Sequence, residues 1–141
     1  MPREIIALAI MGMDQHENGV VAVARILREA QMQVAYVGCF QTPASVAAAA
    51  IRCGAQVIGI SCHSWEYLKL VPRLLDELRQ RGLDIPVVIG GSVITAADAE
   101  RMYAAGVARV FPASARDVEI VDVIRDLALG KPQPGHQGLT A

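Results

Sequence analysis

The sequence has little excess of either charge and few aromatic residues. Its 13 Lys and Arg residues nearly balance 14 Asp and Glu residues, for a formal net charge of −1, and aromatics make up 4%. Nucleic acids and anionic membranes attract a basic excess, so the balanced charge predicts neither partner. The sequence also has no apolar run of the roughly 18 to 20 residues that cross a bilayer, and it shows no secretory signal pattern. We therefore expect a cytoplasmic protein without membrane contact.

Cysteine is scarce, and the glycine-rich nucleotide motifs are missing. The sequence has three cysteines, Cys39, Cys53 and Cys62, and no two of them form a CxxC pair. An odd number of cysteines without that spacing predicts neither a disulfide framework nor a zinc knuckle. No GxGxxG and no GxxxxGK[ST] sequence is present, so the dinucleotide fingerprint and the phosphate-binding P-loop are both excluded.

Hydrophobic residues, by contrast, are abundant. They make up 53% of the 141 residues, which is enough to bury one core, while the chain is too short for a second. We assign this single domain to residues 1–130. Residues 131–141 contain Pro and Gly without hydrophobic periodicity and are predicted to form a flexible C-terminal tail. His136 lies in this tail and is expected to have no functional role.

Short β-branched runs alternate with longer helical segments. Strands are predicted at residues 3–10, 33–37, 56–61, 85–89 and 108–111. Helices are predicted at 18–30, 43–53, 65–81, 96–105 and 117–129, with Thr42, Thr95 and Ser114 as helix-entry residues. The pattern predicts an α/β fold: a single doubly wound, flavodoxin-like, five-stranded parallel sheet of order 2-1-3-4-5 with helices on both faces.

The loops after strands one, three and four hold the candidate site, because ligands in this fold bind beyond the carboxyl ends of the strands. The first of these loops contains Asp14 and His16, and Gly19 follows. The acid and the imidazole could be a metal ligand with its orienting carboxylate, or half of an acid/base pair. Alternatively, Asp14 caps the first helix and His16 is simply exposed.

The other two loops contain small polar residues and glycines. Ser61 ends strand three, where a phospho-receiver domain needs an acidic residue, so that function is excluded. We predict that Trp65 anchors a helix end in the core, with a ligand wall or a partner contact as the alternative. His63 lies either near a ligand or in solvent. Gly90 and Gly91, after strand four, either let a bulky group approach the backbone or form a simple turn.

In order and spacing, Asp14-x-His16-x-x-Gly19, Ser61 and Gly90-Gly91 resemble the DxHxxG, SxL and GG motifs of one family. That family is the cobalamin-binding domain of adenosylcobalamin-dependent mutases, and the resemblance spans about residues 3–129. Residues 40–43 and 70–72 are similar to its methylmalonyl-CoA mutase branch. The short chain is also similar to the small subunits of glutamate mutase and of two-subunit acyl-CoA mutases.

The resemblance implies a function and a cofactor. The chain would be the cobalamin-binding small subunit of an adenosylcobalamin-dependent carbon-skeleton mutase, an isomerase of acyl-CoA that is inactive without a larger substrate-binding subunit. His16 would be the metal ligand, in the lower axial position of cobalt, and Asp14 would fix its ring. The family's cofactor contacts fall on Gly12, Asp14, His16, Gly19, Ser61, His63, Gly90 and Gly91. The resemblance implies no catalytic residue in this chain.

Three positions depart from the family pattern. Ile10 stands where acyl-CoA mutases commonly carry a lysine, and His63 replaces the leucine of SxL. Residues 112–115, Pro-Ala-Ser-Ala, replace Gly-Pro-Gly-Thr. Two alternatives therefore stay open: a non-enzymatic corrinoid carrier or cobalamin-responsive adaptor, and a domain that has lost the cofactor. The first is disfavoured, because such proteins normally carry a helical domain before this one.

Overall fold

The computed structural model describes residues 3–131, in which five strands alternate with five helices. The strands are β1 (Ile5–Met11), β2 (Gln33–Gln41), β3 (Val57–Ser61), β4 (Val87–Gly90) and β5 (Arg109–Phe111). The helices are α1 (Asn18–Glu29), α2 (Pro43–Cys53), α3 (Tyr67–Gln80), α4 (Ala96–Ala105) and α5 (Asp117–Ala128). All paired strands are parallel, in the order β2-β1-β3-β4-β5, which confirms the predicted fold. Residues 132–141, which include most of the predicted tail and His136, lie outside the described residues.

The sheet divides the hydrophobic core of this one domain into two layers, because side chains alternate between the two faces along each strand. In β1, Ile6, Leu8 and Ile10 belong to the core beneath α1 and α5, together with Leu27 and Ile124. The intervening residues of β1 belong to the core beneath α2, α3 and α4. Burial on both faces explains the uninterrupted apolar run of the first strand. Among residues 3–131, no helix is long and apolar enough to cross a membrane.

Strand β2 is longer than predicted, because it continues past an irregularity to Gln41. Its register against β1 shifts twice near the carboxyl end. There Gly38 has a φ of +111° and Phe40 a φ of +61°. The glycine interrupts the β-branched run, which is why the sequence indicated a strand end at residue 37. The extension brings the Gln41 carbonyl within 2.9 Å of the Gly12 backbone nitrogen and ties β2 to the loop after β1.

Two of the three predicted helix-entry residues are confirmed. The Thr42 and Thr95 hydroxyls accept the backbone N–H groups of Ser45 and Asp98, at 3.0 and 3.1 Å. The prediction for Ser114 is wrong, because α5 begins three residues later and has no side-chain cap.

The prediction that Trp65 anchors a helix in the core is also wrong. The residue is 60% exposed, and α3 begins only at Tyr67. Tyr67 takes the buried position instead, and its hydroxyl lies 3.1 Å from the Asp98 carboxylate. Trp65 therefore lies in the turn between β3 and α3, at the carboxyl edge of the sheet.

Candidate functional site

Loops from three strands meet at the carboxyl edge of the sheet, as predicted. The loop after β1 contains Asp14, whose Oδ2 accepts the backbone N–H of His63, in the loop after β3, at 2.8 Å. That second loop is bonded to β4, because the Cys62 N–H donates to the Gly90 carbonyl oxygen at 2.8 Å. The structure thus brings together the residues that were selected from the sequence.

Asp14 organises this edge from a buried position, since only 4% of it is exposed. Its Oδ1 accepts the backbone N–H of His16 at 3.0 Å and the ring Nδ1–H of the same residue at 2.8 Å. Burial by itself raises the pKa of Asp14, but hydrogen bonds from His16 and His63, with the charge of His16, outweigh it and hold the pKa below its usual value. Asp14 is therefore ionised at neutral pH. It does not cap α1, whose N-terminus has no side-chain cap, so that alternative is wrong.

His16 presents a ring nitrogen to the surface. Its side chain is 69% exposed. Because an ionised Asp14 can only accept, Nδ1 carries the proton and Nε2 keeps its lone pair in the neutral ring. Carboxylates that accept a hydrogen bond in this way fix the tautomer and the orientation of metal-binding imidazoles. The arrangement could therefore hold a metal through Nε2.

His63 lies beside His16 at the same edge. The two ring centroids are 5.6 Å apart, and the ring planes are inclined by 43°. His63 is half-buried and lines the mouth of a cavity. His63 is therefore not a fully solvent-exposed loop residue, and it lies where it could contact a molecule in the cavity.

The cavity has a volume of about 310 Å³ and extends from the sheet edge into the core beneath α1 and α5. Its lining is mostly apolar and includes Leu8, Val88, Phe111 and Ile124. Near the sheet edge it is lined by Gly19, Ser61, His63, Gly90 and Gly91. A deep apolar space with a few polar groups at its mouth is typical of a small-molecule site.

The cavity exists because the central strands carry small residues on one face. Gly59 and Ser61 are two residues apart in β3 and therefore share a face, and Ser61 pairs with Gly90 in β4. All three line the cavity. Gly59 was not selected from the sequence, although its two-residue spacing from Ser61 within a strand is the signal that could have found it.

Glu66 is a second residue that the sequence analysis missed. Its Oε1 accepts the Met13 backbone N–H at 2.9 Å. Gly12 has a φ of +75°, a conformation that favours glycine, and its Cα lies close to the Glu66 carboxylate. At the far end of the same loop, the Tyr36 hydroxyl donates to the Glu17 carboxylate. The loop that carries Asp14 and His16 is thus held at both ends.

Cys62 is not a competing metal ligand. It is buried directly beside Asp14, and burial together with the Asp14 charge raises the pKa of its thiol. A residue that is only 1% exposed does not present its sulfur at the surface, where the His16 ring lies.

Gly91 packs against the backbone of the neighbouring strand's loop. A Cβ there would lie 1.6 Å from the Cys62 carbonyl oxygen, and φ is +155°. We expect Gly91→Ala to lower the free energy of unfolding by about 3 kcal/mol or more, as measured by urea denaturation. Gly82→Ala is the matched control, because Gly82 has a φ of +69° with nothing within 4 Å. That variant should lose only about 1 kcal/mol to backbone strain. Equal losses in the two variants would show that the close contact is unimportant.

Comparison with known proteins now identifies the family. The sequence model of one protein family, the B12 binding domain, matches residues 5–123 of this chain. That range includes all three loops. The chain belongs to this family. This B12-binding domain is 36% identical over 126 residues to the 2-hydroxyisobutanoyl-CoA mutase small subunit of Aquincola tertiaricarbonis. The alignment covers 89% of this chain and 93% of that subunit.

Some other relatives of the B12-binding domain are much longer. It is 36% identical over 116 residues to ethylmalonyl-CoA mutase of Cereibacter sphaeroides, a match that covers 82% of this chain but only 17% of that protein. Among solved structures, a cobalamin-binding protein from Desulfitobacterium hafniense DCB-2 superposes with a TM-score of 0.77 at 20% identity. The superposition covers 89% of this chain and 59% of the other, and it supports the fold alone.

The side chains that the B12-binding domain offers at this edge fit a metal ion that is already bound by other ligands. Within residues 3–131, no group of three or more His, Cys, Asp or Glu side chains could hold a bare ion. A single exposed imidazole, that of His16, instead suits a metal whose other positions are largely filled, as they are by the corrin macrocycle of cobalamin. The adjacent cavity leaves space for a bulky substituent of that macrocycle.

Proposed function

We propose that this chain is the cobalamin-binding small subunit of an adenosylcobalamin-dependent, methylmalonyl-CoA mutase-like isomerase that rearranges the carbon skeleton of an acyl-CoA. The observation that carries the proposal is the Asp14–His16 pair, with 2.8 Å between Oδ1 and Nδ1, beside a deep apolar cavity. When bound, adenosylcobalamin supplies radical chemistry through its cobalt–carbon bond. The residues of this chain hold and orient the cofactor.

His16 is the proposed lower axial ligand of cobalt. Neutral imidazole is a good ligand for transition metals of this kind, and the hydrogen bond to Asp14 raises its basicity. Asp14 is itself held by backbone N–H groups of His16 and His63. The ligand nitrogen is therefore positioned by the protein before any cofactor binds, which lowers the entropy lost on binding.

The cavity is the proposed slot that would hold the nucleotide tail of the cofactor. Its floor, which includes Leu8, Val88 and Ile124, is apolar and suits a flat aromatic base. Pro112 and Ala113 belong to the segment that departs from the family pattern, and they line the cavity without filling it. The departure at residues 112–115 is therefore compatible with a bound tail.

A larger substrate-binding subunit is the proposed partner, and this chain alone is expected to be inactive. The name of the Aquincola relative, a small subunit that this chain matches over nearly its whole length, supports the proposal. A domain that had lost the cofactor is the weaker alternative. An open core cavity does not stabilise a fold, so a ligand is the better reason for it.

Gel filtration of the chain with adenosylcobalamin tests the proposal. We expect the cofactor to co-elute with the protein at a one-to-one ratio. A colourless protein peak at saturating cofactor would contradict the proposal. Candidate large subunits are then added with acyl-CoA substrates, and isomerisation is expected only when both subunits are present. Binding without isomerisation by any combination would instead indicate a corrinoid carrier.

Asp14→Asn is expected to weaken cobalamin binding by about 10- to 100-fold, because an orienting partner of a metal ligand contributes about that much affinity. Both Asp14 oxygens accept N–H groups, so the amide nitrogen of Asn must face another donor. The free energy of unfolding should therefore also fall, by about 1–3 kcal/mol. Equilibrium dialysis and urea denaturation measure the two effects. Asp122→Asn, at an exposed position on α5, is the control and should change neither. Native affinity in Asp14→Asn would contradict the orienting role.

A further inference from the structure

Two polar side chains at the mouth of the cavity have no hydrogen-bond partner among residues 3–131. The Ser61 hydroxyl and the His63 ring both line the cavity. Within the part of the chain that the structure describes, neither side chain donates or accepts a hydrogen bond. Both residues are half-buried, so their polar atoms are available to bond a ligand that enters the apolar cavity beside them.

The His63 ring is held in place by its own chain. The His63 backbone N–H is bonded to Asp14, and the ring lies beside that of His16. Opposite them is Gly19, where a Cβ would lie 3.2 Å from His63 Nε2. Glycine at this position therefore leaves space for the imidazole, which is longer and more polar than the leucine of the SxL motif.

The first turn of α1 lies at the same mouth. Gly19 and Val20 line the cavity, and the residue before α1 makes no side-chain capping bond. Backbone N–H groups at a helix N-terminus favour a negative charge nearby. The His63 ring and the α1 N-terminus thus both offer N–H donors at the mouth, while the floor of the cavity offers apolar contacts.

This division matches the two parts of a nucleotide tail, an aromatic base and an anionic phosphoribosyl group. We propose that His63 hydrogen-bonds oxygen atoms of the phosphoribosyl group and makes this domain selective for corrinoids that carry a complete nucleotide tail. The inference rests on the proposed function, because it requires the tail to enter the cavity. Leucine at this position could make no such bond, so the selectivity would be a property of this chain.

Binding of two corrinoids to three forms of the chain tests the proposal. Adenosylcobalamin carries the nucleotide tail, and adenosylcobinamide lacks it. Quenching of the fluorescence of Trp65, the single tryptophan, gives each Kd for the native chain, His63→Leu and His63→Gln. We expect His63→Leu to weaken adenosylcobalamin binding about tenfold, as for loss of a hydrogen bond to a charged group. Adenosylcobinamide should bind His63→Leu and the native chain equally, and His63→Gln should recover part of the lost affinity through its amide N–H.

The outcomes separate this proposal from the proposed function. If the native chain binds both corrinoids and His63→Leu weakens both equally, His63 supports the loop and does not recognise the tail. Unchanged or tighter adenosylcobalamin binding by His63→Leu would also overturn the proposal, while the proposed function would stand. A native chain that binds neither corrinoid would overturn both. All variants keep the residue-63 backbone N–H to Asp14, and circular dichroism confirms their folding.

Discussion

His16→Ala is expected to weaken adenosylcobalamin binding by at least about 100-fold while the fold stays intact. Loss of a residue that merely orients a metal ligand lowers affinity by about 10- to 100-fold, and loss of the ligand itself removes more. Folding should be little affected, because the His16 side chain is 69% exposed. Asp14 Oδ1 also keeps the residue-16 backbone N–H as a donor. The free energy of unfolding should therefore change by less than about 1 kcal/mol.

Equilibrium dialysis with adenosylcobalamin measures this effect, and urea denaturation checks the fold. Gln15→Ala is the control, since Gln15 is an exposed residue of the same loop and is expected to bind like the native chain. Retention of native affinity by a folded His16→Ala would mean that the cobalt ligand is not His16. A parallel loss in Gln15→Ala would mean that the loop's conformation, and not its imidazole, determines binding.

Ala115→Phe is expected to block cobalamin binding without unfolding the domain. Ala115 is half-buried and lines the cavity, whose volume of about 310 Å³ can accept a phenyl ring. The ring would bury apolar surface and so maintain or raise stability. The phenyl ring would then occupy the space that the nucleotide tail needs. If the tail enters a cavity that already holds the ring, the overpacking costs about 3 kcal/mol, which corresponds to an affinity about 150-fold lower.

The same dialysis experiment tests Ala115→Phe, with Ala97→Phe as its matched control. Ala97 is exposed on α4, on the opposite side of the sheet from the cavity, and its substitution is expected to leave binding unchanged. Full affinity in a stable Ala115→Phe would show that the cofactor's tail lies elsewhere. The account of the cavity as a slot would then be wrong, although the role of His16 could still hold.

The fold could be predicted from the sequence because its signals are local and repeated. The apolar run of the first strand indicated burial on both faces, and the alternation of strands and helices then favoured one topology. The strand order follows from handedness and crossover rules that apply to any chain with this pattern. The end of strand β2 was predicted too early, because a glycine such as Gly38 usually indicates that a strand ends. In the structure, pairing with β1 continues to Gln41.

The site was predictable where its residues are adjacent in sequence. Asp14 and His16 are two residues apart, and their contact requires no knowledge of the tertiary fold. The hydrogen bond from His63 to Asp14 and the support from Glu66 join residues about fifty positions apart, so no local pattern could reveal them. Trp65 was misplaced for a related reason: helical spacing does not show where a helix begins, and the turn before Tyr67 leaves the indole exposed.

The depth of the cavity was the least predictable feature. Its walls include Gly59, Ser61 and Gly90, small residues on one face of two adjacent strands. A glycine in a strand indicates close approach of another group but does not say which one. Only the packed sheet shows that the small residues of β3 and β4 lie side by side. It also shows that the cavity they line is next to the two histidines.

The central claim, that His16 binds cobalt, is tested most directly by electron paramagnetic resonance. The chain is prepared with 15N-labelled histidine and loaded with unlabelled cobalamin in the paramagnetic Co(II) state. A nitrogen in the axial position splits each cobalt line, into a doublet if it is 15N and into a triplet if it is ordinary nitrogen. We predict doublets for the labelled chain and triplets for the same chain without label. Triplets in both samples would show that cobalt keeps the base of its own nucleotide tail, and would contradict the account.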